Sequence, residues 1–225
     1  MGKLIVLEGT DGSGKSTQFR LLTQRLEQQG QAFRRLRFPQ YDKDSSALIR
    51  MYLSGQFGTD PNAVNAYAAS TFYAVDRMAS YLQDWKADYQ SGMLFLADRY
   101  TTSNAVHQGG KISPDDRQSF YDWLYDLEYG KMELPKPDLV ILLDMPIEFT
   151  RSLMRKREHD TNTQADIHEQ DLTYLAHCRE SALEAAAHYG WQIVSGADGA
   201  RLRTVEEIHE EVYGIVTQCL KQEEA

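Results

Sequence analysis

"LIVLEGTDGSGKSTQ", residues 4–18, decides the fold. Leu4 to Leu7 read as a buried strand that stops abruptly at Glu8. A glycine-rich turn follows, and then a helical pattern whose apolar stripe is Phe19, Leu22 and Leu26. Gly9, Gly14, Lys15 and Ser16 satisfy G-x-x-x-x-G-K-[ST] between that strand and that helix, the context in which the pattern cradles phosphate. Glycines let successive N–H groups turn inward around phosphate oxygens, and the helix N-terminus adds the positive end of its dipole. The expected nucleotide-binding set is Gly9, Thr10, Asp11, Gly12, Ser13, Gly14, Lys15, Ser16 and Thr17, with Lys15 on the β/γ-phosphates and the Ser16 hydroxyl on Mg²⁺. Asp11 is the odd member, a carboxylate in a loop suited to anions.

Outward from this loop, strand-like runs recur at 33–38, 93–98, 138–144 and 191–195, with helical periodicity between them. Strand and helix in alternation predict an α/β fold of the P-loop NTPase type. It is a three-layer sandwich: a five-stranded parallel sheet, helices on both faces, and a mobile lid. The near-continuous apolar runs 4–7 and 139–143 should form its centre. Two segments interrupt the rhythm. Residues 39–92 exceed one crossover and carry a stripe of Val64, Tyr67, Thr71, Val75, Met78, Leu82 and Trp85; they are expected to be an acceptor-binding insertion. Residues 158–168, "EHDTNTQADIH", are polar and follow Arg151, Arg155, Lys156 and Arg157, so a lid is placed at about 151–168. The whole chain, 1–225, is expected to be one domain.

The formal net charge is −9, which disfavours wrapping a nucleic-acid polymer and leaves small anionic ligands at a local basic site. No apolar run approaches membrane-spanning length, and the N-terminus has no signal-peptide pattern. Cys178 and Cys219 fit no metal-ligand spacing, so a reducing, cytoplasmic compartment is expected. A GTPase would carry N-K-x-D, which is absent, and "LSGQ" at 53–56 lacks the remainder of a transport-ATPase signature. A small-molecule kinase remains.

Four ordered stretches then resemble the thymidylate kinase family of nucleoside-monophosphate kinases. They are "LEGTDGSGKST", "FYAVDR" (72–77), "DRYTTSNAVHQGG" (98–110) and "LPKPDLVILLD" (134–144). The resemblance implies ATP as phosphoryl donor, Mg²⁺, dTMP or a related monophosphate as acceptor, and a homodimer. It implies that Tyr73 stacks on thymine, that Arg77 bonds its O4, and that Ser103, Asn104 and Gln108 read base edges. It also implies acceptor-site roles for Phe38 and for His107, the latter in a slot where the family has an aromatic. Asp11 would accept from the 3′-hydroxyl of the acceptor.

The residues carry part of this unaided. Tyr73 and Arg77 lie at i, i+4 on one helix face. Asp98 and Arg99 close a strand at the carboxyl edge of the sheet, where Asp98 can support Mg²⁺ and Arg99 can clamp a phosphate. The catalytic set is then Lys15, Asp98, Arg99, Arg155 and Arg157, the last two because the P-loop has no Arg and the lid must supply the cation. After "RFP" (37–39) the family's acceptor-phosphate residue is missing, so Arg37, Lys43 and Tyr41 are candidates for that contact. A deoxynucleoside kinase with Glu8 as base and a non-catalytic nucleotide switch are the alternatives.

Overall fold

The structure, a computed structural model, describes residues 1–150 and 172–221. Five strands form one all-parallel sheet in the order β2-β3-β1-β4-β5. They are β1 (Lys3–Glu8), β2 (Arg34–Arg37), β3 (Leu94–Asp98), β4 (Leu139–Asp144) and β5 (Gln192–Ser195). Each lies within a residue or so of its expected run, because every run ends at a charged or turn-forming residue. A two-residue antiparallel pair, Ala197–Asp198 with Arg201–Leu202, is an addition that periodicity did not indicate.

The expected centre is correct. In β1, Leu4, Ile5, Val6 and Leu7 are all fully buried, as a strand covered on both faces must be. Alternation sends Leu4 and Val6 to one core and Ile5 and Leu7 to the other. Helices α1 (Lys15–Gln28) and α8 (Val205–Lys221) cover the second core through Leu22, Leu26, Ile208, Val212 and Val216. The other face is covered by α3 (Ala66–Ser80), α5 (Thr102–His107), α6 (Arg117–Tyr125) and α7 (Leu172–Tyr189). Between β2 and β3 lie α2 (Ala47–Leu53), α3, a π-helical turn Tyr81–Trp85 and α4 (Lys86–Gln90).

Of the stripe read along 64–85, Trp85 is fully buried and Met78 packs against the core, whereas other members turn outward. Tyr67, Val75 and Leu82 are 42%, 52% and 54% exposed, and Thr71 is exposed too. Helix α3, capped by the Asn65 side chain on the Ala68 N–H, instead buries Ala66, Ala69, Ser70, Ala74, Arg77 and Ser80. Small residues let α3 approach closely, and a charge with a buried partner replaces the apolar stripe. Large apolar letters alone mislead about which face is inward.

Parallel register does the positioning. Leu7 stands opposite Asp98, and Arg37 also stands opposite Asp98. The loop after β1 and the residues ending β2 and β3 therefore emerge at one edge. That edge is the carboxyl end of the sheet, beside the point where the strand order reverses.

Candidate active site

A cavity opens at that edge. Its lining joins Asp11, Lys15 and Ser16 of the first loop with Asp98 and Arg99 after β3, and with Tyr73, Arg77 and Asn104 farther in. The loop is shaped by glycine. Gly9 has φ 157°, and a Cβ there would meet the Ser13 hydroxyl and the Leu143 carbonyl. Gly14 caps α1 at φ 83°, a conformation other residues resist. Ser13 N–H closes the turn on Thr10 O at 3.2 Å.

Lys15 is nearly buried and pairs with Asp98, Nζ to Oδ1 at 3.2 Å. Burial, followed by repulsion from Arg99, holds its pKa below the ordinary lysine value, although Asp98, Asp11 and Glu8 pull the other way. Arg99 has φ 70°, an uncommon left-handed backbone that turns its side chain out of the strand and into the cavity. Its Nη2 pairs with Asp11 Oδ1 at 2.6 Å, and Glu8 lies 3.8 Å from Nη1. Nη1 donates to His107 Nε2 at 2.6 Å, so that ring nitrogen carries its lone pair toward a group that can only donate. Burial lowers the Arg99 pKa, but Asp11, Glu8 and Asp98 outweigh it and raise the value overall.

Glu8 is fully buried and takes three donors. It accepts from Gly9 N–H at 2.9 Å, Thr102 Oγ1 at 2.8 Å and Ser103 Oγ at 2.7 Å. It ties the phosphate loop to α5, and Ser103 spends its hydroxyl on that tie while lining the cavity.

The inner end is a buried network. Arg77, 1% exposed, is held by both oxygens of Glu128: Nε to Oε2 at 2.6 Å and Nη2 to Oε1 at 2.5 Å. Its Nη1 reaches Tyr100 O at 3.3 Å. Burial acts against the Arg77 charge, and Glu128 reverses the balance and raises its pKa. Thr101 Oγ1 donates to Glu128 at 2.7 Å, and Asn104 Nδ2 reaches Ser70 O at 3.2 Å and Glu128 Oε1 at 3.4 Å. Gln108 is buried, with Oε1 lacking a hydrogen-bond partner.

A family model for thymidylate kinase matches residues 7–212. The chain belongs to the thymidylate kinase family. It is 32% identical over 222 residues to the thymidylate kinase of Halothermothrix orenii, covering 97% of this chain and 98% of that protein. It is 30% identical over 202 residues to that of Mycobacterium tuberculosis strain H37Rv, covering 87% and 92%. A solved thymidylate kinase from Candida albicans has the same fold, with TM-score 0.71 and 21% identity, covering 96% of this chain and 92% of that one.

Of the family-derived expectations, the structure gathers Asp11, Lys15, Ser16, Phe38, Tyr73, Arg77, Asp98, Arg99, Ser103, Asn104, His107 and Gln108 around one cavity. Gly9, Thr10, Gly12, Ser13 and Gly14 shape the loop beside it, and Thr17 lies on the first turn of α1. Arg155, Arg157 and the lid at 151–168 lie outside the described residues. Arg37 and Tyr41 line the cavity, whereas Lys43 lines a neighbouring groove. Asp144 is gripped by Arg179 at 2.6 and 2.8 Å, which makes it a tie from β4 to α7.

Sequence reasoning missed Glu128, because a glutamate in "YDLEYG" looks like a solvated helix residue. It also missed Asp76. That carboxylate holds the 40–45 loop through Gln40 N–H at 2.9 Å and Ser45 Oγ at 2.6 Å. The only sequence hint was an Asp set beside the Arg of "VDR".

Proposed function

We propose that this protein transfers the γ-phosphoryl group of ATP to dTMP, giving dTDP and ADP. One observation carries the reading: a phosphate-binding loop and a polar base pocket share a cavity, with Asp11 and Arg99 between them. The amides of residues 9–14 and Lys15 bind the donor phosphates. Arg99 clamps the acceptor phosphate, Asp11 accepts from the sugar hydroxyl, Tyr73 and Phe38 flank the base, and Arg77 meets its carbonyl. The acceptor oxygen is an ionised phosphate, so alignment and charge neutralisation suffice without a base.

Mg²⁺ is proposed at Ser16 and Asp98. Asp98 Oδ1 is buried without a hydrogen-bond donor beyond its ion pair, and hydroxyl and carboxylate oxygens suit a hard cation. When bound, the ion would neutralise phosphate charge. Arg155 and Arg157 are proposed as the lid cations.

The same reading includes one catalytic domain, with residues 39–92 as the acceptor insertion, and a homodimer. Exposed Val75 of α3 and Leu82 of the π-helical turn that follows it support association. A cytoplasmic location is in keeping with two free thiols. Among the described residues no helix is long and apolar enough to cross a membrane.

Coupled measurement of ADP release with dTMP, dUMP, dCMP, dGMP and dAMP tests the activity. The strongest stimulation is expected from dTMP, and none from dTMP would sink the proposal.

A further inference from the structure

Glu128 occupies the π-helical turn Asp126–Lys131 that follows α6, and its side chain is wholly buried behind the cavity wall. It does not line the cavity, so it is out of reach of a ligand. Its two oxygens nevertheless take four donors: Arg77 Nε, Arg77 Nη2, Thr101 Oγ1 and Asn104 Nδ2. A carboxylate has about four lone-pair sites, so its capacity is used up.

The consequence for the two cavity-facing residues is directional. With Nε and one Nη2 hydrogen held by Glu128, and one Nη1 hydrogen at Tyr100 O, the guanidinium retains donors only toward the cavity. Asn104 stands between two groups that can only accept, the Ser70 carbonyl and the Glu128 carboxylate. Its amide nitrogen must face them, which leaves Oδ1, an acceptor, for the cavity that Asn104 lines. A donor beside an acceptor matches a base edge that carries a carbonyl next to an N–H. It opposes an edge with an amino group next to a bare ring nitrogen.

We infer that Glu128 is a positioning residue that sets the hydrogen-bonding polarity of the base pocket, making it select 4-keto pyrimidines over 4-amino ones. The inference rests on the dTMP-kinase reading and adds to it a residue that touches no substrate. Glu128→Gln keeps the shape while replacing one acceptor by a donor. Whichever oxygen is replaced, the new donor opposes an Arg77 N–H and disturbs the guanidinium, while Asn104 keeps only the Ser70 carbonyl to hold its orientation.

The test is the ratio of kcat/KM for dTMP to that for dCMP, with ATP KM as internal control. A site built to bond a particular polar edge rejects its mismatch strongly, so the wild-type ratio is expected to be at least about 100. Glu128→Gln should lower that ratio about tenfold or more and shift ATP KM by less than about threefold. Glu128→Asp, which keeps the carboxylate, should retain most of the preference. A folded Glu128→Gln protein with an unchanged ratio overturns the inference, since a merely structural glutamate would lower both substrates alike. If Glu128→Gln does not fold, the wild-type protein decides. N3-methyl-dTMP, which has lost the N–H that Asn104 Oδ1 would accept, should bind at least about tenfold more weakly than dTMP. Equal binding overturns the inference. Absence of any dTMP turnover by wild type is a different result and refutes the proposed activity instead.

Discussion

At the mouth of the cavity, Lys15, Asp98, Asp11 and Arg99 pair with one another across the space that donor and acceptor phosphates would enter. At the inner end, Arg77, Glu128, Thr101 and Asn104 pair behind the wall, with Arg77 and Glu128 at most 1% exposed. The first set makes contacts that a bound phosphate would replace. The second makes contacts that binding leaves intact. Charge at the mouth is therefore available to the ligand, whereas charge at the inner end is already cancelled and acts only as oriented donors and acceptors. A phosphate demands cation density, and a base demands polarity in the right order.

The largest effect should come from the inner end and should be one of stability. Arg77→Ala strands the Glu128 carboxylate in a dry site, a change expected to cost about 3–5 kcal/mol. For a chain of this size that corresponds to a fall in Tm of roughly 6–20 °C in a thermal scan. A loss below about 1 kcal/mol would mean that water reaches Glu128, and the contrast between the two ends would fail.

Next comes the mouth, where the effect should fall on rate. Lys15→Ala removes a cation aimed at the migrating charge, so kcat for dTMP-dependent ADP release should drop about 10²–10³-fold. Stability should fall by less than for Arg77→Ala, because Asp98 loses its Lys15 partner but keeps Arg37 at 3.7 Å, and burial already opposes the Lys15 charge. A loss of stability as large as that of Arg77→Ala would place Lys15 with the structural ion pairs.

A smaller effect separates the two substrates within the mouth. Asp11 pairs with Arg99 at 2.6 Å, and dTMP binding should hand Arg99 to the phosphate and Asp11 to the sugar hydroxyl. Asp11→Ala should reduce kcat/KM for dTMP about 10–100-fold, the worth of one charge-assisted bond, while ATP KM stays nearly constant. Equal losses for both substrates would reject that role.

Legibility from sequence follows the same division. Phosphate chemistry sits on the contiguous stretch 8–17 and at a strand end, so motif and register together located it. All five strands were readable: four contain an apolar run bounded by charged or turn-forming residues, and β2, RRLR, is framed by Phe33 and Phe38. The inner end is assembled from residues 70, 77, 101, 104 and 128, and nothing local marks Glu128 as buried. Its burial depends on a helix that runs through a π-helical turn, and on Arg77 arriving from a helix some fifty positions earlier. The α3 stripe misled for a related reason. Its inward face is small and polar because Arg77 and Asp76 find partners there, while Tyr67, Val75 and Leu82 stay outside.

The mildest test asks how dry the surroundings of the inner end are. Lys111 lies just beyond Gln108 and ties α2 to the start of α3, with Nζ donating to Tyr52 Oη at 2.6 Å and Val64 O at 3.0 Å. Burial lowers its pKa from 10.5 to about 8. Below pH 8 the amine is charged in both folded and unfolded chains, and the fold bears the full cost of burying that charge. Between about 8 and 10.5 the folded chain releases the proton first, the unfolded chain binds more protons, and stability rises with pH. Above that range the contribution is constant. Urea unfolding of wild type and Lys111→Met at pH 7.5 and 9.5 isolates the effect. Wild type should gain about 1–2 kcal/mol on the variant over that interval, less than the full linkage value because the side chain is partly solvated. A flat difference would mean that water reaches the amine, and that the shell around the base pocket is as open as the phosphate end it has been contrasted with.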